Sequence, residues 1–81
     1  MTKEDIFGII KKNILKVLMD IDTNKININQ SLKDLGANSV DRVEIAQYSM
    51  EDLNLIIPRV ELGYARNIKD LVDILYKHIN N

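Results

Sequence analysis

Both ends of this 81-residue chain carry aliphatic side chains at the spacing of an α-helix, and that pattern leaves few folds open. Near the start, Ile6, Ile10, Ile14, Val17 and Leu18 recur at intervals of three and four, so they share one stripe of a helix. Near the end, Ile68, Leu71, Val72, Leu75 and Ile79 do the same. A stripe of this kind must be covered by another element. Thr2, followed by Glu4 and Asp5, supplies a side-chain acceptor and then acids at the positive end of a helix dipole, so the first helix is expected from about Lys3 to Met19. Asn67, with Asp70 three residues on, reads as the cap of the last helix, which begins at Ile68.

The middle of the chain is less regular. Residues 20–38 break the helical period, and Asp20 to Gln30 is rich in Asn and Asp. Ile26 and Ile28 alternate with Asn27 and Asn29 as they would in a strand, but a lone strand has no partner. An extended loop pinned by Ile21, Ile26, Ile28, Leu32 and Leu35 is therefore expected, with a short helical turn from Ser31 to Leu35 that ends at Gly36. A loop this long signals either function or an unrecognised element. A second helix is expected from about Ser39 to about Leu53, capped by Asn38 or Ser39. Pro58 forbids its continuation and pushes Ile57 toward extended backbone. A short third helix is expected over Arg59 to Tyr64, ending near Gly63. The fold class that results is an all-α bundle of three main helices and one short one, in a single domain spanning 1–81.

Several functions are excluded or made remote. Without cysteine there is no disulfide, thiolate nucleophile or thiolate zinc site, which suits a reducing cytoplasmic setting. No apolar run approaches the length of a membrane span, and the first residues lack the layout of a signal peptide, so no membrane association is expected. A net charge of −1 leaves no basic excess for nucleic acid. Lys11, Lys12 and Lys16 cluster, but Asp20 and Asp22 follow, and the cluster reads as a solvated helix face. Catalytic groups are nearly absent: no acid–base pair stands at a useful spacing, and no set of residues reads as a metal site. His78, close to the C-terminus, reads as a solvent-facing residue of the last turn.

One stretch carries more, namely Leu35-Gly36-Ala37-Asn38-Ser39-Val40-Asp41-Arg42-Val43-Glu44-Ile45. It sets a serine hydroxyl at the mouth of a helix after a flexible glycine turn. Free backbone N–H groups and the positive dipole end would stabilise a phosphate there. The same serine would serve equally as an ordinary helix cap. Along the helix, Ile45, Ala46, Ser49 and Leu53 form one face, and Val40, Val43, Gln47 and Met50 form another that is also largely apolar. Such a helix either sits deep in the bundle or meets a partner.

Leu35-Gly36-Ala37-Asn38-Ser39-Val40 resembles the attachment motif of acyl carrier proteins, and the resemblance runs on through Ile57-Pro58 into the last helix. It implies a 4'-phosphopantetheine arm, taken from coenzyme A by a phosphopantetheinyl transferase and attached at Ser39, with Gly36 and Asn38 supporting the motif. It implies a non-catalytic, monomeric carrier of thioester-bound acyl groups, with Val40, Asp41, Arg42, Val43, Glu44 and Gln47 as the partner-contact face. Two departures stand out. Asn38 replaces the usual Asp before the serine, and Arg42 brings a positive charge to a carrier far less acidic than those of bacterial fatty-acid synthesis.

A narrower resemblance lies in Ser39 to Ile45, Ile57-Pro58-Arg59-Val60-Glu61-Leu62 and Asn67-Ile68. These look like the free-standing donor carriers of polyketide β-branching cassettes, which serve antibiotic biosynthesis. It implies an acyltransferase that loads malonyl, a decarboxylating ketosynthase that leaves acetyl, and a hydroxymethylglutaryl-CoA-synthase-like enzyme that accepts it. The competing expectations are a carrier for fatty-acid synthesis, a carrier for an amino acid such as D-alanine, and a helical interaction module with no prosthetic group.

Overall fold

The structure is a computed structural model that describes residues 1–80. Among those residues it contains four α-helices and no strand: α1 (Lys3–Leu18), α2 (Ser39–Asp52), α3 (Arg59–Leu62) and α4 (Ile68–Ile79). The all-α bundle read from the sequence is the fold observed. Each main helix starts where its cap residue places it. In α1 the Thr2 hydroxyl accepts from the Asp5 N–H at 3.1 Å, and the Asp5 carboxylate accepts from the Thr2 N–H at 2.9 Å. That backbone N–H, with the Thr2 hydroxyl second, holds the Asp5 carboxyl below its usual value. In α4 the Asn67 side chain accepts from the Asp70 N–H at 2.8 Å.

The ends fall slightly short of expectation, each for a local reason. α1 stops at Leu18 because Met19 adopts φ 59° and ψ −45°, and the Leu18 carbonyl accepts from the Asp20 N–H at 2.6 Å. This is a γ-turn with positive φ, a rare and strained geometry for a residue with a side chain. After α2 the chain reverses through Asn54, at φ 56°, a conformation asparagine tolerates better than most. α3 begins after Pro58 and ends at Leu62, so Tyr64 lies beyond it.

The core is the meeting of the two stripes. Ile6, Ile10 and Ile14 of α1 are fully buried against Ile68, Val72 and Leu75 of α4 and Ile45 of α2. Each such side chain contributes about 1.5–3 kcal/mol relative to exposure. Ile26 and Ile57, from the connections, complete the cluster. Pro58 thus has a second effect: the extended backbone it imposes on Ile57 lets that side chain enter the core, while Ile56 stays almost fully exposed.

The segment between α1 and α2 is an extended loop, as expected, but it hides an element that periodicity missed. Thr23–Lys25 form a turn of 3-10 helix, capped by the Asp22 side chain, which accepts from the Asn24 N–H at 3.0 Å. The Asn-rich stretch satisfies itself: Asn27 N–H donates to Gln30 Oε1, and Asn29 N–H donates to Asn27 Oδ1. The carbonyls of Ile28 and Gln30 then accept from Lys69 and Ile68 N–H, at 2.8 and 2.9 Å, so the loop caps the first turn of α4. Ser31 and Asp34 bracket the short turn that follows, which ends at Gly36 with φ 97°. No described helix is long and apolar enough to cross a membrane.

Candidate functional site

Ser39 is the first residue of α2 and is exposed. Gly36 takes the left-handed turn, Ala37 is buried behind it, and Asn38 becomes the cap. The Asn38 side chain accepts from the Asp41 N–H at 2.8 Å, and the Asp41 carboxylate accepts from the Asn38 N–H at 3.1 Å. The cap is therefore Asn38, and the Ser39 hydroxyl is not needed for it. The N–H groups of Ser39 and Val40 belong to the first turn, where no carbonyl of the helix can accept them. A free hydroxyl, unpaired N–H groups and the positive helix end thus coincide.

Ser39 borders a cavity of about 390 Å³ between α2, α3, the start of α4 and the loop around Ser31. Its floor is apolar, from Leu32, Val43, Ala46, Met50, Leu62 and Leu71, and its charged residues are Lys33, Arg42, Arg59 and Arg66. The proposed contact residues divide. Val40, at 65% exposure, Val43, at 45%, Arg42 and Gln47 face outward, while Asp41 and Glu44 are half-buried. Asp41 is partly occupied as the return half of the cap. Met50, grouped by period with the outer face, instead lies half-buried against the core.

The opposite side of α2 holds what sequence reading missed. Asn13, buried in the α1 stripe, donates through Nδ2 to Ser49 Oγ at 3.0 Å and to Asp52 Oδ2 at 3.1 Å. Ser49 Oγ in turn donates to the Ile45 carbonyl at 2.8 Å. Lys12 reaches Asp52 at 3.1 Å, and Lys16 lies over the Tyr48 ring at 4.1 Å. The lysine cluster is therefore not a merely solvated face, since two of its members fasten α1 to α2. The Asn13 amide, then Lys12, lowers the Asp52 carboxyl below its ordinary value. His78 also departs from expectation. It is largely covered, and its Nε2 is in hydrogen-bond contact with Glu61 of α3. No group of three or more metal-ligating side chains exists among the described residues.

The site has clear relatives. The phosphopantetheine attachment site family matches residues 12–75. The polyketide biosynthesis acyl-carrier-protein AcpK of Bacillus subtilis is 41% identical over 81 residues, covering 100% of this chain and 99% of its own length. An acyl carrier protein of Cyanidium caldarium is 27% identical, covering 90% of this chain and 94% of its own. Among solved structures, a chain in the crystal structure of the curacin biosynthetic pathway HMG synthase in complex with acetyl donor-ACP matches with a TM-score of 0.84 at 43% identity. That match covers 94% of this chain and 96% of the other.

Proposed function

The chain belongs to the acyl carrier proteins, which hold a covalently attached 4'-phosphopantetheine, and from that premise we propose that Ser39 carries the arm. The observation that carries this reading is the exposed Ser39 hydroxyl, free of capping duty, at the start of α2 and on the rim of a cavity. The residues fit the group: an anionic phosphodiester at Ser39 would face the unpaired first-turn N–H groups and Arg42, one turn further along. When bound, the arm supplies a thiol that holds acyl groups as thioesters. This chain's own residues position that thiol and present it. Attachment joins Ser39 Oγ to the arm's phosphorus, breaks the pyrophosphate linkage of coenzyme A, and releases its nucleotide half and the hydroxyl proton.

The pathway is the second half of the proposal. We assign the chain, as a single cytoplasmic carrier domain, to the acetyl-donor role in polyketide β-branching, supported by its likeness to the donor carrier bound to an HMG synthase. The outward residues Val40, Arg42, Val43 and Gln47, with Asp41 and Glu44 beside them, form the face for a hydroxymethylglutaryl-CoA-synthase-like enzyme. The decarboxylating ketosynthase, acyltransferase and phosphopantetheinyl transferase use the same end of α2. Intact mass after incubation with coenzyme A, magnesium and a broad-specificity transferase tests the attachment. A gain of one arm, absent in Ser39→Ala, is expected, and no gain on the wild type with an active transferase overturns it. For the pathway, the acetyl-loaded protein should be consumed by an HMG-synthase-like enzyme faster than by a fatty-acid ketosynthase; the reverse preference sinks the donor role.

A further inference from the structure

The cavity beside Ser39 has an unusual charge pattern, and its consequence rests on the carrier reading above. Four cations line it, Lys33, Arg42, Arg59 and Arg66, and no carboxylate does, although the whole chain carries a net charge of −1. Among the described residues, the first three have no carboxylate within 4.0 Å. Arg66 meets Asp70 only at 3.8 Å, with its side chain 91% exposed. These charges are therefore available to an occupant. Arg42 lies near the root of the arm, whereas Arg59 opens α3 and Arg66 immediately precedes the cap residue of α4, so both stand on other walls.

Arg59 and Arg66 are exposed, so their pull on a carboxylate is screened and modest, and it rests on the planar, two-pronged match of guanidinium to carboxylate. An amine at the end of a carried group would be repelled there, which disfavours an aminoacyl cargo. We infer that the groove sorts carried groups by charge. An acyl group ending in a carboxylate is held against Arg59 and Arg66, and its uncharged decarboxylated successor is let go. In that conversion the bond to the carboxylate breaks, carbon dioxide leaves, and a proton supplied by the decarboxylating enzyme's site takes its place. The cargo thereby loses the feature the arginines bind. A thioester still carrying its carboxylate stays folded over the groove, and the finished acetyl group swings free toward the synthase.

Loading the protein from malonyl-, acetyl- and butyryl-coenzyme A with magnesium and a broad-specificity phosphopantetheinyl transferase, with intact mass as the check, tests the inference without a ketosynthase or a synthase. Absence of loading counts against the carrier reading; only loaded forms address the groove. The malonyl form is expected to shift the Nε–H signals of Arg59 and Arg66 and the amide of Leu62 in proton–nitrogen spectra, and the acetyl form is not. Cleavage of the malonyl thioester by hydroxylamine, relative to malonyl-coenzyme A, should slow about fivefold, or about 1 kcal/mol at roughly 1.4 kcal/mol per factor of ten. Acetyl and butyryl should show little slowing. In R59Q/R66Q the malonyl form should come to match the acetyl form, and R59K/R66K should keep part of the effect. Equal protection of malonyl and butyryl, or malonyl protection that survives in R59Q/R66Q, overturns charge sorting.

Discussion

The two sides of α2 face opposite demands. Toward α1, the helix presents Ile45 and Ser49, both fully buried, and the interface is closed by the Asn13, Ser49 and Asp52 hydrogen bonds. Toward α3 it presents Val43 and Gln47 across a hollow rimmed by cations. One helix thus has a side with every buried polar atom satisfied and a side left open to an occupant. A small domain that must keep its shape while handing over cargo needs both, and placing them back to back lets one be altered without the other.

That separation can be broken or sharpened by substitution. The largest effect is expected from Ile45→Ala, at about 2–5 kcal/mol lost, because the cavity left in so small a core cannot collapse fully. Urea denaturation should show the midpoint fall accordingly; a loss under about 1 kcal/mol would mean that the seam is not where stability resides. Asn13→Ala comes next, at about 2 kcal/mol, because it removes two hydrogen bonds from a buried site. If it proves neutral, the polar clamp is ornamental and apolar contact alone joins α1 to α2. Gly36→Ala should cost about 1 kcal/mol through its φ of 97°, since no neighbour lies within 4 Å of an added Cβ.

Two smaller effects discriminate more finely. Asp52 has its folded-state pKa lowered by Asn13 and Lys12, so its contribution is present at neutral pH. It is lost as the pH falls below about 4, the unfolded value, through the depressed folded one. Asp52→Asn should therefore flatten the acid limb of stability against pH, modestly, because the side chain is 36% exposed. Identical acid limbs in the two proteins would remove the charge of Asp52 from the clamp. Val43→Asp should leave the melting temperature nearly unchanged while abolishing turnover with an HMG-synthase-like enzyme, although it is only two residues from Ile45. A melting temperature that drops as it does for Ile45→Ala would erase the distinction between the two faces.

Much of this was legible in the residues, and the limits have physical causes. The stripes of α1 and α4, the caps at Thr2 and Asn67, and the stop at Pro58 are local patterns, set by neighbours within one or two turns, whereas the residues left Asn38 and Ser39 as alternative caps of α2. The clamp was half visible. Asn13 interrupts the stripe between Ile10 and Ile14, and Ser49 falls on the inward face of α2, but nothing in a single sequence couples positions 36 apart. The 3-10 turn is too short to show a period. The cavity was not legible at all, because its wall is gathered from the loop, α2, α3 and the start of α4. His78 misled for the same reason: its partner, Glu61, belongs to another helix.

The hydrogen bonds from Ile68 and Lys69 to the carbonyls of Gln30 and Ile28 also bear on how the molecule comes to exist. They join segments about 40 residues apart, so they must await chain closure, whereas isolated helical turns form in about a microsecond or less. The expected order of folding therefore has α1 and α2 helical before the loop settles, and α4 anchored only after it. In a Tyr48→Phe/Tyr64→Phe variant, where Tyr76 reports alone, stopped-flow experiments should see the far-ultraviolet helix signal lead the tyrosine fluorescence, and coincident traces would contradict this order. Since Arg66, Asn67 and Leu71 join the cavity wall only when α4 is docked, the hollow beside Ser39 is expected to form late on this order. A partially opened chain would keep Ser39 and most of its helices, yet lose the hollow beside it.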